Sequence, residues 1–191
     1  APSFNWFDKH LKTLPTPDTS PVRIFVMGEN VWRNENEWPL ARTQYSPYYL
    51  NSAGSANTLF GDGSLSTTYP IKENSIDTFI YDPLDPVPSN GGPVLGPRAR
   101  RIEKQNQIEL RDDVLIYDSE SLSEDLEVTG PVTLQMYVST TAPSTDFTAK
   151  LVDVHPNGSA YYVSEGILRL NVDDIESNTV REIMIELWPT S

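Results

Sequence analysis

From residue 21 onward the apolar residues fall in short β-rich runs separated by turn residues. That is the signature of half-buried strands. Residues 22–27, Val22-Arg23-Ile24-Phe25-Val26-Met27, form a β-rich run closed by Gly28. Residues 45–50 are tyrosine-rich and carry Pro47, which suits an edge or a bend. Residues 59–65 predict a short hairpin around Asp62-Gly63, and residues 78–81 and 114–117 predict two further strands. Longer alternating runs cover residues 128–140, 147–154, 160–170 and 180–188, and Pro156-Asn157-Gly158 predicts a hairpin with a type I′ turn. The N-terminal dozen residues differ. Phe4, Trp6 or Phe7, and Leu11 recur at helical spacing, with Lys9, His10 and Lys12 toward the end where cations favour a helix dipole. Pro15 and Pro17 then block continuation.

Between the strands lies a long irregular stretch, residues 82–101, with Pro83, Pro86, Pro88, Pro93 and Pro97 and the pair Gly91-Gly92. Proline density predicts an ordered loop, and a loop this long inside a compact domain is usually functional or disordered. Its basic cluster, Arg98, Arg100 and Arg101, stands out against an acidic chain. A second loop, residues 28–39, holds Trp32 and Trp38 with Arg33 and Arg42 nearby, which predicts arginine stacking on indole and ion pairing. Many short strands between turns give the fold class: mostly β, an antiparallel β-sandwich or jelly roll, with one short N-terminal helix.

Composition narrows the chemistry. The 191 residues suffice for one large domain or two small ones, and 14 Lys and Arg against 27 Asp and Glu give a net charge of -13. That sign opposes nucleic-acid binding, which needs cations to displace phosphate counterions. No cysteine is present, which excludes thiol nucleophiles and cysteine-ligated zinc, and only two histidines, His10 and His155, are available. No Gly-x-Ser-x-Gly turn exposes a serine, so the chain alone carries no catalytic residues. The carboxylate pairs Glu35/Glu37 and Asp112/Asp113 read as solvated surface charge. Asp62, Asp82 and Asp85 suit turns better than a calcium loop. No metal and no cofactor is expected.

Several ordered blocks carry a resemblance. Val26-Met27-Gly28-Glu29-Asn30-Val31-Trp32-Arg33, with Glu37-Trp38-Pro39-Leu40-Ala41-Arg42-Thr43, resembles the start of the C-terminal domain of the X-Pro dipeptidyl-peptidase and cocaine-esterase (CocE/NonD) serine hydrolases. Tyr81-Asp82-Pro83-Leu84-Asp85-Pro86-Val87-Pro88 with Gly91-Gly92, then Arg111-Asp112-Asp113-Val114-Leu115, follow in order. Leu126-Glu127-Val128-Thr129-Gly130-Pro131, the run from Thr145 to Val154, and Glu165-Gly166-Ile167-Leu168-Arg169 complete the series.

The resemblance implies a non-catalytic jelly roll, similar to galactose-binding domains, beside an α/β-hydrolase domain that bears the serine, aspartate and histidine. Residues 1–20 are then expected to be the last helix and linker of that hydrolase domain, and residues 21–191 a β-sandwich short of its final strands. By the same resemblance Asp82, Pro83, Asp85, Pro86, Pro88, Gly91 and Gly92 wall the substrate pocket or a domain interface. Trp32, Arg33, Trp38 and Arg42 belong to a structural or interdomain element. The expected partner is the catalytic domain of the same polypeptide, and an exposed sheet edge predicts a homo-oligomer formed by strand exchange. Neither nucleic acid nor membrane is an expected partner. The rival reading is a free-standing carbohydrate-binding module built on exposed aromatics.

Overall fold

The computed structural model describes residues 2–14, 20–70, 75–92, 102–171 and 179–191. They form two compact units, Ala1–Thr43 with Ser191, and Gln44–Thr190. Pro15, Pro17 and the arginines at 98, 100 and 101 lie outside the described residues, as does most of the connection between Asn171 and Val180.

The first unit holds a helix, α1 (Pro2–Leu11), and an antiparallel hairpin of β1 (Val22–Val26) and β2 (Val31–Glu35). Lys9 and His10 occupy the last helical turn, and Asp8 pairs with Lys12 at 2.8 Å. Phe4, Trp6, Phe7 and Leu11 are all exposed. The second strand corrects the reading of residues 28–39 as a loop. Val31–Glu35 has no apolar alternation of its own. It becomes a strand because Val31 sits opposite Val26 across a four-residue turn. Gly28 and Asn30 take positive φ in that turn, 86° and 59°, and the Asn30 amide donates to the Gly28 carbonyl at 2.9 Å.

The second unit contains β3 (Tyr49–Asn51), β4 (Ser64–Ser66), β5 (Gly130–Val138), β6 (Thr145–Val154), β7 (Ala160–Leu170) and β8 (Arg181–Thr190). All pairings are antiparallel: β3 with β4, β5 with β8, and β6 with β7. The two long ribbons stack as the layers of a sandwich. Ile183, Ile185 and Leu187 of β8 and Val132, Leu134 and Met136 of β5 meet Phe147, Ala149 and Leu151 of β6 and Leu168 and Leu170 of β7. At Gly166 the backbones come so close that a Cβ would lie 2.2 Å from the Glu186 carbonyl oxygen.

Four local expectations need correction. Residues 78–81 and 114–117 form no strand; in the second segment a single backbone bond, Ile116 N–H to the Ala56 carbonyl at 2.8 Å, stands in place of a ladder. Asp62-Gly63 is not a hairpin turn, because Ser64–Ser66 pairs backward with Tyr49–Asn51. Asp62 instead accepts from the amides of Ala53 and Ser55, at 2.9 and 3.1 Å. Strand character in residues 45–50 begins only at Tyr49, past Pro47. The 156–158 turn joins β6 to β7 as expected, yet it is not type I′. Of its residues Gly158 alone has positive φ, at 76°, and its N–H donates to the His155 carbonyl at 2.8 Å. That is a type I turn led by Pro156 and closed by a left-handed glycine.

Candidate functional site

In the second unit the proline-rich loop is described from Asp82 to Gly92, and it is tied down at both ends. At its entry the Asp82 carboxylate accepts from Leu84 N–H at 2.8 Å, and its carbonyl accepts from Asp85 N–H at 3.1 Å. These bonds make a local Asx turn without a cation. Arg111 then grips Asp85: Nη2 donates to the Asp85 carbonyl at 2.7 Å, and Nη1 lies 3.3 Å from both carboxylate oxygens. The same guanidinium forks onto Asp113, with Nε and Nη2 each 2.7 Å from one oxygen. Asp113 is therefore not a solvated surface charge. Its side chain is 6% exposed, and the hydrogen bonds from Arg111 hold its carboxyl below the ordinary value of 3.8. Asp113 and Asp85 in turn raise Arg111 above its usual range.

At the exit the anchor is Gln105, 1% exposed. Its Nε2 donates to the carbonyls of Asn90 and Glu103 at 2.8 and 2.9 Å, and its Oε1 accepts from Lys150 Nζ at 3.2 Å. Every polar atom of that buried amide has a partner, which is what burial demands. Asn90 donates to the Lys104 carbonyl at 2.9 Å, and Gln105 N–H to the Ala160 carbonyl at 2.8 Å, so segment 103–105 runs along the start of β7. Gly91 and Gly92 are buried with φ of 82° and 74°. A side chain at Gly92 would meet Tyr162 and Glu165 at 2.9 Å. Burial, then the Glu165 charge, pushes the Tyr162 hydroxyl up to about 12, so it remains protonated beside the loop.

Between the anchors the loop is open. Pro83, Pro86 and Pro88 are exposed, and a groove of about 500 Å³ runs past Asn57, Phe79, Ile80, Asp82, Asp85 and Arg111. Ile80 is 86% exposed and Leu84 92%. The groove wall is set upstream by Asp77. Its carboxylate accepts from Ser52 Oγ at 2.6 Å, Ala56 N–H at 2.9 Å and Tyr117 Oη at 2.8 Å. Burial pushes this carboxyl up, and the three donors together push it further down, leaving it below its ordinary 3.8. A carboxyl depressed in the fold stabilises the chain above pH 3.8, and that contribution is lost as pH falls through the folded value. Asp77→Asn is therefore expected to be less stable than the parent chain at pH 7, with the gap shrinking below pH 3.8 in urea titrations. A gap that stays constant with pH would refute the depressed carboxyl.

In the first unit, Arg33 and Arg42 both meet Glu35. Arg33 Nε lies 2.7 Å and Arg42 Nη2 2.5 Å from its Oε1, while Arg42 Nη1 donates to Oε2 at 2.8 Å. Glu35 is thus a paired carboxylate, lowered first by the Arg42 hydrogen bond, not the solvated charge expected. The cation over Trp32 is Arg23, 4.8 Å from the ring centroid, and Phe25 flanks the same indole at 5.3 Å. Trp38 precedes a cis Pro39 and is partly exposed. The His10 ring lies against Trp6, and the His155 ring against Asp153 and Tyr161.

Arg111, Gln105, Asn90 and Asp77 went unnoticed as site residues in the sequence. Of these, only Arg111 left a signal, as part of the Arg111-Asp112-Asp113 block.

The sequence pattern of the X-Pro dipeptidyl-peptidase C-terminal non-catalytic domain matches residues 16–191. A cocaine esterase from Rhodococcus sp. is 44% identical across 97% of the chain. The chain spans 34% of that protein's length. Among solved structures, an aminopeptidase from a marine sediment Thaumarchaeota archaeon superposes with a TM-score of 0.72 at 23% identity. That match covers 99% of this chain and 33% of the aminopeptidase, and it establishes the fold.

Proposed function

The chain belongs to the X-Pro dipeptidyl-peptidase C-terminal non-catalytic domain family, and from that membership we propose that it serves as the accessory β-sandwich of an α/β-hydrolase-type serine hydrolase acting on esters or X-Pro peptides. In this reading it packs on the catalytic domain of the same polypeptide, and its 82–92 loop walls the substrate pocket. Residues 1–20 are the last helix and linker of that catalytic domain. Trp32, Arg33, Trp38 and Arg42 form a structural or interdomain element. Acyl transfer would run through a serine activated by histidine, with the oxyanion hole on the catalytic domain. This chain would contribute by shaping the pocket and excluding water from it.

One observation supports the reading most directly: a loop anchored at both ends holds Leu84 almost fully in solvent, with Ile80 exposed just upstream of it. Fixing a loop costs conformational entropy, and displaying large apolar groups from it gains nothing unless they meet a ligand or a partner. The test is Ile80→Ser with Leu84→Ser in the full-length polypeptide. Serine there shortens the apolar wall, so the Michaelis constant should rise and the preference among acyl groups of different size should change. Unchanged kinetics on every substrate would sink the pocket-wall role. Self-association through a sheet edge is a further part of the proposal, and a clean monomer in light scattering at high concentration would remove it.

A further inference from the structure

We infer that Arg111 is the positioning residue of the 82–92 loop, the group that sets where Leu84 stands. The inference rests on the pocket-wall reading. The two ends of the loop are held differently. At the exit the position is fixed several times over, by the Asn90 side chain, the Asn90 carbonyl and the buried Gly92 against Tyr162 and Glu165. At the entry, apart from the local Asp82 turn, the hydrogen bonds that tie the loop to the rest of the unit among the described residues come from one guanidinium. Residues 75–92 take part in no strand ladder, so side-chain contacts set their path.

A guanidinium suits this task. It is planar and always charged, and its donors point in fixed directions, so one pair locks onto Asp113 while another reaches the Asp85 carbonyl. Asp113 is nearly buried and holds the fork still. Lysine keeps the charge but offers a single ammonium on a flexible stem, and it cannot hold both partners in one plane. The entry of the loop would then drift, carrying Leu84, which lies next to Asp85. Small displacements of groups that contact a substrate weaken binding sharply.

Arg169 supplies a control inside the same fold. Its guanidinium forks onto Asp146 with the same geometry, 2.7 and 2.8 Å, but that pair joins β6 to β7 and touches no loop residue. In the full-length polypeptide, hydrolysis of p-nitrophenyl acetate and of an alanyl-prolyl p-nitroanilide should be measured for Arg111→Lys, Asp113→Asn and Arg169→Lys. The expected result is a Michaelis constant raised about tenfold for the first two, with kcat within about twofold, and neither changed for Arg169→Lys. The Arg111 and Asp113 effects should not add in the double variant. A lower melting temperature with an unchanged Michaelis constant in Arg111→Lys, while the Ile80/Leu84 variant does change it, would make Arg111 merely structural and overturn the inference. If the Ile80/Leu84 variant changes nothing, or neither substrate is turned over, the pocket-wall reading fails instead. Hydrogen exchange then still decides the positioning role: faster exchange at the Leu84 and Asp85 amides in Arg111→Lys supports it, and unchanged exchange refutes it.

Discussion

Gly166→Ala is expected to destabilise the chain by about 1–3 kcal/mol or more, the usual cost of overpacking a close contact. In a domain of this size that lowers the melting temperature by roughly 2–4 °C per kcal/mol. Gly166 belongs to the face of β7 that meets β8. Ser164, two residues earlier on the same face, is buried and donates its hydroxyl to the Trp188 carbonyl. Small side chains at 164 and 166 let the two backbones approach closely. A methyl group at 166 would stand 2.2 Å from the Glu186 carbonyl oxygen, 2.8 Å from its carbon and 2.9 Å from Ile185 Cγ2. The oxygen is main chain and cannot swing aside, so the strands must separate. Separation stretches the Ser164 bond and loosens the packing of Ile185. Gly158→Ala is the comparison: φ there is 76°, but nothing lies within 4 Å. Its cost is backbone strain alone, about 1 kcal/mol. Thermal unfolding followed by circular dichroism should rank Gly166→Ala well below Gly158→Ala. Equal melting temperatures would mean that β7 and β8 do not approach as described.

The long strands were legible because burial there follows the alternation that the sequence displays. In β8, Ile183, Ile185 and Leu187 point inward while Met184, Glu186 and Trp188 point out. No such pattern marks Val31–Glu35, whose strand is imposed by its neighbour and by a turn needing positive φ at Gly28 and Asn30. The opposite error arose at residues 78–81 and 114–117. Their β-branched and aromatic residues favour strands locally, but Asp77 and Tyr117, 40 residues apart, tie these segments together through side chains. The loop could be recognised from its prolines and glycines. Its anchors could not, since Arg111 meets Asp85 across 26 residues and Gln105 meets Lys150 across 45. Spacing in sequence carries no information about such contacts. The carboxylates were misread differently: the arginines of Glu35 and Asp113 lie only seven and two residues away in sequence, but nothing in that spacing turns the side chains toward each other.

Ile185→Ala should cost about 2–5 kcal/mol, the range for truncating a fully buried aliphatic side chain. Ile185 is 1% exposed and central to the cluster shared by β8, β5, β6 and β7. Truncation removes three carbons from a dense contact, and the surrounding strands, held by two antiparallel ladders, can collapse only partly into the space. Met184, its neighbour, is 54% exposed on the opposite face of the same strand. Met184→Ala should therefore stay within about 0.5 kcal/mol of the parent chain. Urea unfolding of the two variants, read by tryptophan fluorescence, separates inner from outer face with one-residue resolution. A large loss at Met184 as well as Ile185 would mean that the outer face of β8, with Met184 and Trp188, is covered in solution. If that loss fades on dilution, a second copy of the chain is the cover, because stability drawn from association depends on protomer concentration.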